Sequence, residues 1–81
     1  MDIENLVKMA NEIGNFFNSE PDRTAAVRGI SDHIRKFWEP RMRRAIILHY
    51  NQGGAGLGEL ALAAIAKLAG ESDSLRQVGD G

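Results

Sequence analysis

Apolar residues recur three and four positions apart in four successive segments of this chain, and nowhere do they alternate as a half-buried strand requires. That period leaves helices as the building material. In residues 2–18, Ile3, Leu6, Val7, Ala10, Ile13, Gly14 and Phe17 share one stripe, and Phe16 lies beside it and widens it. Asp2 is the expected N-cap there, and Glu4 suits the positive end of the helix dipole. A second helix is expected to start near Pro21 or Asp22, with Ser19 as its cap and Pro21 in its first turn. Its apolar face is Ala26, Val27, Ile30, Ile34, Phe37 and Trp38. Gly29 within it costs up to about 1 kcal/mol relative to alanine, so a small residue there suggests close approach by another helix.

Pro40 disfavours α geometry at Glu39, which should stop the second helix near Trp38. The same proline starts a third helix well, because its missing N–H would have been unpaired anyway. The third seam reads Met42, Ala45, Ile46 and His49, but the consecutive Ile46, Ile47 and Leu48 put at least one large apolar side chain off it. Gly53 and Gly54 end that helix. A fourth is expected near Gly58–Ala69 on Leu57, Leu60, Ala61, Ala64, Ile65 and Leu68, with Gly70 as its C′ stop. The polar, glycine-containing remainder is expected to be disordered. The fold class is therefore all-α, a small bundle of four short helices, with one helical domain over 1–70 and a flexible tail over 71–81.

At 81 residues the core is small and the margin of stability thin unless a partner adds to it. No cysteine is present, which excludes disulfide staples and thiolate metal sites within the chain. The apolar run Leu57–Ala69 is too short and too charged, with Glu59 and Lys67, for a bilayer span of roughly 20 apolar residues. The start MDIEN is acidic where a secretory leader would be basic. The expectation is a soluble, cytoplasmic chain with no membrane role.

Candidate chemistry is sparse. His33 and His49 lie on different helices with no convergent third ligand, so no metal site is expected. The loop glycines Gly53, Gly54, Gly56 and Gly58 follow neither the dinucleotide nor the P-loop pattern, so a tight turn between helices is expected instead of a cofactor site. The serines lack a paired base, and the acids sit at helix starts or on wet faces. No catalytic residue is expected.

The stretch HIRKFWEPRMRRA, His33 to Ala45, is the anomaly. Residues 35–44 carry Arg35, Lys36, Arg41, Arg43 and Arg44 against Glu39, whereas the formal charge of the whole chain is −1. Residues 1–22 hold Asp2, Glu4, Glu12, Glu20 and Asp22 against Lys8. Opposed ends favour oriented docking or internal pairing over general polyanion binding. Arg41, Arg43 and Arg44 stand in the first turn or so of the third helix, where the dipole favours acids. Arginine suits bidentate pairing, and tryptophan, methionine and arginine concentrate interface energy. The expected partner-binding residues are Arg35, Phe37, Trp38, Pro40, Arg41, Met42, Arg43 and Arg44, joined by Gly53, Gly54 and Leu57 of the loop. Trp38 and Met42 would anchor while the arginines orient, with the tryptophan expected to belong partly to the core as well. The competing reading is a small helical nucleic-acid-binding protein using the Arg35–Arg44 corner, and the acidic total and missing motif argue against it.

The runs MANEIGNFF (9–17), PD (21–22), GISDHIRKFWEPRMR (29–43) and GGAGL (53–57) resemble the delta subunit of NAD-dependent formate dehydrogenase, with Glu12 and Glu39 where that family's pattern has Gln and Asp. The resemblance spans roughly residues 6–68 and is most specific in FW-PRMR. It implies a non-catalytic accessory subunit of a cytoplasmic complex that oxidises formate and reduces NAD. The parent's molybdenum or tungsten pterin, iron–sulfur clusters and FMN would then belong to other subunits. Partners would be the larger formate dehydrogenase subunits, foremost the cofactor-bearing catalytic one, with self-association open to the isolated chain.

Overall fold

The computed structural model describes the backbone of residues 2–80 and the side chains of residues 2–71. It contains four helices: α1 (Ile3–Phe16), α2 (Arg23–Phe37), α3 (Pro40–Asn51) and α4 (Glu59–Asp80), with no strand among the described residues. Asp2 caps α1 by accepting from the Glu4 N–H at 3.0 Å. The residue that caps α2 is Asp22, not Ser19. Its Oδ1 accepts from the Thr24 N–H at 3.0 Å, and Pro21 lies outside the helix. Glu20 accepts from the Asp22 N–H at 3.2 Å, so the turn before the helix is closed by acids at the end where the dipole favours them.

At the α2–α3 joint the backbone does what Pro40 requires. Trp38 (φ −87°, ψ 139°) and Glu39 (φ −66°, ψ 153°) are extended, and Pro40 opens α3. The α3–α4 turn uses left-handed backbone at Gly53, Gly54 and Gly56, with φ of 120°, 67° and 86°. The Gly54 N–H donates to the His49 carbonyl at 2.9 Å, which satisfies one of the last carbonyls of α3.

Helix α4 packs against each of the other three. Its Ala61, Ala64, Ile65 and Leu68 meet Leu6 and Ala10 of α1, Ile30 and Ile34 of α2, and Ile46 of α3 in one core that also holds Trp38. Small residues set the spacing: a Cβ added at Gly14 would lie 3.6 Å from the Ala61 backbone nitrogen, so α1 and α4 approach closely there. Ser31, the only buried polar or charged residue among the described residues, donates to the Arg28 carbonyl at 3.0 Å.

Three sequence expectations need correcting here. Phe16 does not widen the α1 stripe: it is 78 % exposed, because Phe17 takes the inward position and the two rings meet edge-on at 5.2 Å. The neighbour that approaches Gly29 is the Phe17 ring at the C-terminal end of α1, not a helix backbone. Gly70 does not stop α4, which continues through it without left-handed backbone. Glu71, one residue on, pairs with Lys67 and with Arg35 of α2, and these contacts favour helical backbone past Gly70. The expected flexible tail lies, from residue 72 on, outside the residues described in side-chain detail.

The two glycines should respond oppositely to alanine. At Gly70 an added methyl meets nothing, so Gly70→Ala should stabilise by up to about 1 kcal/mol through helix propensity. At Gly29 the methyl would overlap Phe17, so Gly29→Ala should destabilise by about 1–3 kcal/mol despite the same propensity gain. Urea titration of both variants checks this. A stabilised Gly29→Ala would show that the ring moves aside freely.

Candidate docking corner

The Trp38–Pro40 joint turns α3 away from α2, and Arg43 holds the turn. Its Nη1 donates to the Trp38 carbonyl and, at 3.1 Å, to the Arg35 carbonyl, both at the C-terminal end of α2. A charge set against the dipole of its own helix therefore lies at the favourable negative end of the preceding one. Arg35 is also engaged within the chain. It pairs with Asp32 on α2 and with Glu71 on α4, tying the two helices together. Partial burial pushes the Glu71 carboxyl up, but the hydrogen bonds and charges of Arg35 and Lys67 outweigh it and hold the group below its ordinary value. Both partners are about two-fifths exposed, so the tie is a modest one.

Arg41 and Arg44 are different. Both are exposed, and neither has an acidic partner among the described residues. They stand three apart on α3 with Leu48 four further on, which places all three on one helical face. Leu48 is 57 % exposed, so it is the side chain that the crowded Ile46-Ile47-Leu48 run leaves off the seam, whereas Ile46 is fully buried and Ile47 half-buried. Beside this face an open groove of about 370 Å³ is lined by Pro40, Ile47 and Leu68 together with Arg35, Arg43, Arg44 and Glu71.

The remaining predicted residues divide. Phe37 is 71 % exposed, with its ring 4.8 Å from that of His33. Met42 is half-buried against the core. Trp38 is 5 % exposed and belongs to the core, where it also lines a groove with Met9, Ile13, Phe16 and His33. The loop residues do not join the corner: α3 separates them by about 18 Å of helix. Gly53 is open on its outer side, but Gly54 is buried against Leu62 and Leu57, and Leu57 packs on the core.

Sequence reasoning passed over Asn11. Its amide donates to the Gly56 carbonyl at 2.9 Å, and its Oδ1 accepts from the Gly58 N–H at 2.7 Å, one residue before α4. His49 Nε2 adds a contact to the Ala55 carbonyl at 2.8 Å. The glycine loop is thus fixed by α1 and α3 as a structural turn. A second groove, of about 480 Å³, lies between α1 and α2 beside Met9, Ile13, Phe16 and His33. Two adjacent phenylalanines were the available signal for it, since both cannot face one core.

The described residues contain no group of three or more His, Asp or Glu side chains able to hold a metal ion. No helix is long and apolar enough to cross a membrane, among the described residues. What the corner offers is a shaped surface with two unengaged arginines and an apolar stripe. Over residues 5–65 the sequence matches the family described as NADH-dependant formate dehydrogenase delta subunit, FdsD. The chain belongs to that family. The matched range takes in α1, α2, α3, the glycine loop and the first turns of α4, and so includes the whole corner except its Leu68 and Glu71 wall. No curated protein and no solved structure matches the chain. Membership in the delta-subunit family agrees with the resemblance carried by FW-PRMR, and the helical bundle is the fold expected from the apolar periodicity.

Proposed function

We propose that the chain is a non-catalytic accessory subunit that binds the larger subunits of an NAD-dependent formate dehydrogenase and stabilises or helps assemble the complex. The observation that carries this reading is the α3 face of Arg41, Arg44 and Leu48, where charge and apolar area are left unengaged by the fold. Cations that a small helix does not need for itself are suited to orienting a partner. The partner in this reading is the cofactor-bearing catalytic subunit, in the cytoplasm. The molybdenum or tungsten pterin, iron–sulfur clusters, FMN and NAD of the parent enzyme reside in the other subunits. The absence of cysteine supports that assignment for the clusters, which need thiolate ligands.

Nucleic-acid binding is weakened by the same geometry. Of the five cations in the corner, Arg35 and Arg43 are engaged internally, which leaves Lys36, Arg41 and Arg44, fewer than a long backbone-tracking stripe calls for. A deletion strain tests the main reading. Enzyme lacking this chain should be recovered in lower yield, or lose activity faster on warming, with unchanged turnover per intact complex. Full assembly and stability coupled to lost turnover would instead place the chain in catalysis.

A further inference from the structure

We infer that the groove over Pro40, Ile47 and Leu68 takes an acidic amphipathic segment of the larger subunit, one apolar side chain flanked by carboxylates. The inference rests on the docking reading above and specifies the chemistry of what docks. The floor is apolar: the Pro40 ring, half-buried Ile47 and the edge of Leu68. A side chain seated there removes water from surface that the fold leaves partly wet. The rims decide the polarity of what surrounds it. Arg44 lines the groove, Arg41 stands three residues before it on α3, and neither forms an ion pair among the described residues. Glu71, which also lines the groove, is already engaged by Arg35 and Lys67, so among the described residues no lining carboxylate is left free to attract a basic segment.

Carboxylates fit better than phosphates. Two unengaged guanidinium groups beside an apolar floor match a short peptide with alternating character, whereas a nucleic-acid backbone would call for a longer cationic track and no apolar floor. Leu48, exposed next to the same rim, extends the apolar contact past the groove. The same arrangement accounts for the cluster of arginines at the start of a helix that disfavours them: Arg43 serves the α2 terminus, and the other two serve the partner.

The test is photo-crosslinking within the assembled complex. A benzophenone side chain is placed at Ile47 and, in a second variant that leaves the core untouched, at Leu48; a third at Phe16 reports on the opposite groove. Crosslinked peptides of the larger subunit should carry Asp or Glu on both sides of an apolar residue. Adding Arg44→Glu should lower crosslinking by about tenfold or more. Capture of a neutral or basic segment from 47 and 48 would overturn this inference while leaving the docking reading intact. Capture of a second copy of this chain, or of nucleic acid, would overturn it as well. Crosslinks from Phe16 alone would sink both.

Discussion

Trp38→Ala should remove about 3–5 kcal/mol from the isolated chain, the cost of deleting a large aromatic side chain from a packed core. The total for a domain of this kind is about 5–15 kcal/mol, and a small core sits at the low end of that range, so the variant should be largely unfolded at 37 °C. The reason lies in the joint. Trp38 is the first residue beyond α2, held in extended backbone by the coming proline, and its indole turns back under the corner into the core shared with Ile34, Ile46 and Leu68. Trp38→Phe keeps a ring and should cost less. Circular dichroism melts of the free chain measure both. If Trp38→Ala melted like the parent yet failed to bind the larger subunits, the indole would be a docking anchor after all.

The second large effect is expected from reversing charge at the exposed positions. Arg41→Glu with Arg44→Glu touches no hydrogen bond or ion pair of the described fold, and surface changes of this kind shift stability by about 0.5 kcal/mol or less. Two acids now stand in the first turns of α3, where the dipole welcomes them, so the isolated chain should be no less stable. Against an acidic partner surface the same change sets like charges together, which costs several kcal/mol. Folding and association should therefore separate cleanly. Arg43→Ala would not separate them, because that guanidinium bonds the carbonyls that end α2.

The sequence made the helices legible because each has a local cause. Leu6, Ala10 and Gly14 recur at one helical spacing, Asp2 precedes the first of them, and Pro40 breaks α2 from α3 where a proline must. The surplus of Ile46-Ile47-Leu48 was likewise readable, since a helix cannot bury three consecutive side chains on one seam. Relations between distant residues were not. Asn11 meets the Gly56–Gly58 loop across more than half the chain, and nothing local to asparagine marks it as a clamp. The role of Arg43 depends on how tightly the corner turns, which the residue types do not state. Gly70 read as a stop because glycine permits left-handed backbone, but a favourable Glu71 contact with another helix decided otherwise. Trp38 carries both an interface and a core reading in the sequence, and the fold shows the core part of it, with 5 % of the residue exposed.

In the proposed function, the exposed arginines of α3 hold this chain to the larger formate dehydrogenase subunits. The direct measurement is the stoichiometry of the chain in complexes reconstituted with the larger subunits, compared between the parent sequence and the Arg41→Glu, Arg44→Glu double variant. The account predicts a bound fraction lowered by about tenfold or more, from a chain whose melting curve is unchanged. Retention of the double variant at full stoichiometry would contradict it.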